Sequence, residues 1–126
     1  LDDTIENDRK KWEHHVQANK GQVTEAFLQE YLQLDDIFRL QELAVLFKER
    51  FLTLLPKALP IYERILELQA NKPAEQAQTR TDLGVLLYSL GDFQGSLAQL
   101  EVALDLRQQV YGDKHALVAA SHIHLG

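Results

Sequence analysis

The chain contains no cysteine. Disulfides, thiolate metal ligands and thiol catalysis are excluded with it. It contains no methionine either and opens on Leu1, so it reads as a segment of something longer. Proline and glycine are scarce, at 3 and 6 of 126 residues, which leaves few points where a helix must break. β-branched residues are few and scattered, and no strand-like alternation is found. No apolar run approaches the ~20 residues of a membrane-spanning helix. No signal peptide opens the sequence, so the default location is cytoplasmic or nuclear, with cytoplasmic preferred. Basic charge is in the minority: 13 Lys and Arg stand against 19 Asp and Glu, for a net charge of −6. An acidic surface repels phosphate, so neither nucleic acid nor an anionic membrane is an expected partner. The basic run Arg9-Lys10-Lys11 is short and flanked by Glu6, Asp8 and Glu13.

What is abundant is Gln, Leu, Ala and Glu, all good helix formers. A first helix is predicted over residues 2–19, with Asp2 and Asp3 at its start and a thin apolar stripe of Ile5, Trp12, Val16 and Ala18. Trp12 is expected in the core. Asn19-Lys20-Gly21 stops this helix, with Gly21 able to take a positive φ. A second helix is predicted over 22–34, because Val23, Phe27, Tyr31 and Leu34 share one face. Asp36 offers the next cap. The third helix follows over 36–52, with Ile37, Leu40, Leu43, Ala44, Phe47 and Phe51 inward. Residues 53–56 break the pattern. The fourth helix covers 57–70, where Pro60 is tolerated in the first turn. The fifth covers 74–90 and the sixth 93–111, separated by Gly91-Asp92. A seventh begins near Ala116.

Residues 83–106 describe a helical hairpin. Gly84 permits close approach of a paired helix, Gly91-Asp92 turns the chain, and Phe93 begins the return. Ser96 and Ala103 are small residues at the crossing, with Leu100 as the large apolar residue between them. This pattern resembles the tetratricopeptide repeat. Leu83-Gly84, Gly91-Asp92-Phe93, Ser96, Leu100 and Ala103 stand at its signature positions. Arg80 departs from the large apolar residue often found there, and Gln108 from the frequent terminal proline. The stretch from Ala103 to His115 is similar to the elongated repeats of kinesin light chain, with Ala116 in place of the proline that ends their Gly-x-x-His-Pro segment. Leu125-Gly126 repeats the Leu83-Gly84 pair. Lys57 to Leu68 resembles the second helix of the same repeat class, with Leu43 to Phe47 in its first helix and about two extra residues at the turn.

The resemblance implies an all-α fold, a right-handed α-solenoid of antiparallel helix hairpins. Residues 1–37 would be an atypical helical cap or the end of a preceding element. Residues 38–126 would hold repeats at about 38–74 and 75–115, and a truncated repeat at 116–126. It also implies a concave surface that binds a partner peptide or protein. The family's groove positions fall here on Gln41, Val45 and Lys48 of one repeat, and on Thr81, Val85, Tyr88 and Ser89 of the next. Family members that bind chaperones clamp a terminal carboxylate with Lys and Asn. Thr81 and Val85 do not supply that clamp.

The sequence offers no chemistry to compete with binding. His14-His15 and His122-x-His124 are not spaced to share a helical face. Glu63 with Glu67, and Glu101 with Asp105, suit a solvated helix face. Gly91-x-x-x-Gly95 lacks the Lys-Ser/Thr of a phosphate loop. No catalytic residue, metal site or cofactor is expected, and the chain is read as no enzyme. The alternative function is a regulatory or oligomerising domain attached to an enzyme or signalling ATPase, whose other domains would then be partners in the same parent chain.

Overall fold

A computed structural model describes residues 3–112. The described residues form six α-helices: α1 (Asp3–Ala18), α2 (Glu25–Leu32), α3 (Ile37–Arg50), α4 (Leu59–Leu68), α5 (Pro73–Ser89) and α6 (Phe93–Tyr111). A 3-10 helix, Leu52–Ala58, joins α3 to α4. No strand occurs among the described residues. The seventh helix and the truncated repeat expected from residue 116 lie outside them. The chain divides into two compact units, Leu1–Ile65 and Leu66–Gly126. The division falls inside α4 and inside the stretch 38–74 read as one repeat.

Local signals fix most helix ends. Asp36 caps α3 by accepting the Arg39 N–H at 3.2 Å, and Asp92 caps α6 by accepting the Gly95 N–H at 2.9 Å. Both satisfy amides that have no partner within their helix. The α5 helix begins one residue earlier than expected, at Pro73, where the missing N–H costs nothing. The α2 helix is shorter than expected. Thr24 caps it, its hydroxyl accepting the Phe27 N–H at 3.2 Å, so the chain before residue 24 stays out of the helix.

The first unit is built on Trp12, which is fully buried. Its ring meets Phe27, Tyr31 and Phe47 edge to face, with centroids 4.8, 5.2 and 5.4 Å away. His15, the next turn of α1, stacks on Phe27 at 3.9 Å, and its Nε2 accepts the Thr24 N–H at 3.1 Å. The end of α1 is thereby tied to the start of α2. A buried polar knot lies one turn before Trp12. Asp8 accepts two hydrogen bonds from Arg39, at 2.8 and 2.9 Å, and one from the Tyr31 hydroxyl at 3.1 Å. It links α1, α2 and α3 through one carboxylate. Arg64 of α4 donates to the Leu34 carbonyl at 3.0 Å in the same unit.

Burial pushes the Tyr31 phenol up to about 12, helped by the Asp8 charge and by the hydrogen bond to it. An unfolded phenol ionises near 10.0. The unfolded chain therefore releases this proton first as pH rises, and stability contributed by Tyr31 is lost as pH climbs from about 10 towards 12. Urea midpoints followed through this window are expected to fall more steeply for the native chain than for Tyr31→Phe. Parallel profiles for the two proteins would dissociate Tyr31 from the alkaline loss.

The second unit centres on the α5–α6 hairpin. Its turn is tight: Gly91 has φ +88°, its N–H donates to the Tyr88 carbonyl at 3.0 Å, and the Asp92 N–H donates to the Leu87 carbonyl at 2.9 Å. This paired bonding closes the helix end only with a left-handed residue at the turn, which Gly91 supplies. Gly84, Ser96, Leu100 and Ala103 are all buried, as the hairpin pattern requires. A Cβ on Gly84 would lie 3.0 Å from the Leu100 side chain and 3.3 Å from the Ser96 carbonyl. Arg80, where the repeat pattern favours an apolar residue, is half-buried and donates to Gln76 and Gln99 at 3.1 and 2.8 Å.

Candidate protein-binding surface

The residues assigned to a groove divide between the two units, three on α3 and four on α5. On α3, Gln41, Val45 and Lys48 are exposed on one face. The buried Leu40, Leu43, Ala44 and Phe47 occupy the opposite side and anchor the helix. Val45 keeps 41% of its surface in solvent. Phe38, two turns before Val45 and therefore on the same line, is also exposed. Lys48 rests 5.7 Å from the centre of the Tyr62 ring, which holds its charge at the surface.

On α5, Val85, Tyr88 and Ser89 are exposed. Val85 and Tyr88 keep 45% and 64% of their surface in solvent. The Ser89 hydroxyl donates back to the Val85 carbonyl at 3.1 Å. Thr81 differs. It is 6% exposed, and its hydroxyl donates to the Ala77 carbonyl at 3.0 Å. A short side chain that bonds its own helix is satisfied without solvent.

Two exposed residues beside these were not anticipated as surface. Phe93 opens α6 with 60% of its surface in solvent, and its ring meets Tyr88 edge to face at 5.0 Å. Leu97, the next turn of α6, is exposed as well. The hairpin pattern explains Phe93 as the start of the return helix, and nothing in that pattern distinguishes a surface ring from a core one.

The carboxylate pairs behave as surface. Glu63, Glu67, Glu101 and Asp105 are all exposed. Among the described residues no group of three or more His, Asp or Glu is arranged to hold a metal ion. Among the same residues no helix is long and apolar enough to cross a membrane.

The described residues are thus helical throughout their regular structure, with a tight α5–α6 hairpin and exposed apolar side chains on α3, α5 and α6. Residues 76–117, a third of the chain, match the family model described as tetratricopeptide repeat. The match begins within α5, takes in all of α6, and supports a tetratricopeptide repeat protein. No curated protein and no solved structure matches the chain.

Proposed function

We propose that this chain is a protein–protein interaction scaffold that holds a partner peptide or protein on the exposed faces of α3 and α5. Tetratricopeptide repeats generally mediate such interactions. The observation that carries the reading is the exposure of Val45, Val85 and Tyr88 on helices that bury Leu40, Leu43, Ala44, Leu46 and Phe47 of α3 and Leu83 and Leu86 of α5. Apolar side chains left in solvent beside polar ones are what a recognition surface uses. Elongated, kinesin-light-chain-like repeats stacked as a right-handed solenoid would present faces of this kind to a partner. Residence in the cytoplasm suits a chain without cysteine.

Selection of displayed peptides against the chain tests the proposal. Enriched sequences are expected, and their binding should perturb amide resonances of α3 and α5. Val45→Glu and Val85→Glu should each weaken binding by about tenfold, because a buried charge without a partner opposes docking. Their stability should stay within ~0.5 kcal/mol of the native chain, as both sites are exposed. Failure to enrich any sequence, or binding indifferent to both substitutions, would overturn the proposal.

A further inference from the structure

The α5–α6 hairpin carries an aromatic patch in a one-sided field of charge. Val85 and Tyr88 are neighbours on α5, and Phe93 and Leu97 are neighbours on α6. The Tyr88–Phe93 contact joins the two pairs into one exposed apolar strip at the turn. Residues 73–112 hold five carboxylates, Glu75, Asp82, Asp92, Glu101 and Asp105, and no lysine. Their two arginines are turned inward. Arg80 is half-buried between Gln76 and Gln99, and Arg107 is buried and donates to Gln78 at 3.2 Å. Four of the five carboxylates are exposed, and Asp92 immediately precedes Phe93. The exposed charges of residues 73–112 are thus all negative.

We infer that this strip docks a basic, apolar protein segment, with an arginine or lysine laid on the Tyr88 and Phe93 rings and its charge facing Asp92. This rests on the scaffold reading and adds the chemistry of the partner. Ring faces attract a cation, and Arg lies flat on them more readily than Lys. Surrounding carboxylates steer a positive segment towards the strip and repel a negative one. Apolar residues beside the cation would cover Val85 and Leu97. The exposed face of α3 offers no such field, because Lys48, Glu49 and Arg50 place both signs around Val45.

The probes are two short synthetic peptides, one alternating Arg with Leu and one alternating Glu with Leu. Binding to the whole chain is measured by fluorescence anisotropy of labelled peptide. The Arg peptide should bind and the Glu peptide should not, and added salt should weaken the complex. Tyr88→Ala and Phe93→Ala should each weaken the Arg peptide by about threefold, the size of one exposed cation–ring contact. Asp92→Ser, which keeps a capping hydroxyl, should weaken it without unfolding α6. Phe38→Ala on α3 should leave it unchanged and so separates the strip from general attraction to an acidic protein. A Glu peptide bound through Tyr88 and Phe93 would overturn the inference and leave the scaffold reading standing. Arg-peptide binding indifferent to both ring substitutions would also overturn it. So would nuclear Overhauser contacts between these rings and residues 113–126, because the chain itself would then occupy the strip. Absence of binding by either peptide, while display-selected peptides still bind, would overturn the inference alone.

Discussion

Trp12→Ala is expected to destabilise the chain by ~3–5 kcal/mol, the range for truncating a large buried aromatic. The upper half of that range applies. Trp12 is fully buried, and three rings contact it edge to face, each pair adding ~0.5–1.5 kcal/mol beyond area burial. Its neighbours sit on α2 and α3, so the space left cannot close without moving both helices. Trp12→Phe should cost much less. It keeps a ring in the cluster and removes the indole N–H, which is buried with no hydrogen-bond partner among the described residues. An unsatisfied buried donor costs ~1–3 kcal/mol, and its removal offsets part of the lost volume. Circular dichroism during urea unfolding measures both variants. Trp12 is the only tryptophan, so fluorescence is lost with it. A loss below ~1 kcal/mol for Trp12→Ala would mean that the aromatic cluster does not anchor α1.

The helices that could be read from sequence are those whose ends carry their own chemistry. Gly91-Asp92 before Phe93, and Gly112 after Tyr111, delimit α6 at the observed residues. Asp36 at the start of α3 and Pro60 in the first turn of α4 are equally local signals. The start of α2 was not legible, because part of what sets it is His15, on another helix, holding the Thr24 N–H. The Asp8 knot was hidden for the same reason. Asp8 lies among Glu6, Arg9, Lys10 and Lys11 and reads as solvated surface. Arg39, which makes it a buried group, is far away in the chain and arrives only when α3 packs on α1. Of the 3-10 helix Leu52–Ala58, residues 53–56 read only as a break, while Leu52 was assigned to the third helix and Lys57 and Ala58 to the fourth, since Pro56 stops the α-helical ladder without dictating what replaces it. At the candidate surface, Val45, Val85 and Tyr88 followed from repeat register. The burial of Thr81 did not, because register does not say whether a hydroxyl turns to solvent or to its own helix.

Gly84→Leu is expected to lower stability by about 3 kcal/mol, the upper end for overpacking a crowded site. Two opposing terms decide the sign. Leucine at a helix interior gains up to ~1 kcal/mol over glycine in helix propensity. Against this, the Cβ alone would stand 3.0 Å from two atoms of Leu100 and 3.3 Å from the Ser96 carbonyl. The Leu100 side chain can turn aside, but the Ser96 backbone belongs to α6 and moves only with that helix. Leucine carries three further carbons into the same space, so α5 and α6 must separate. Separation would also strain the contacts of the buried Ala103 and the Arg80–Gln99 hydrogen bond. Gly84→Ala should fall near neutrality, since its smaller clash is set against nearly the same propensity gain. Adding Leu100→Ala to Gly84→Leu should recover part of the loss, because it vacates the nearest atoms. Thermal unfolding of the three variants gives the order. A Gly84→Leu chain as stable as the native one, or a double variant no better than the single, would show that the helices do not cross at Gly84 and Leu100.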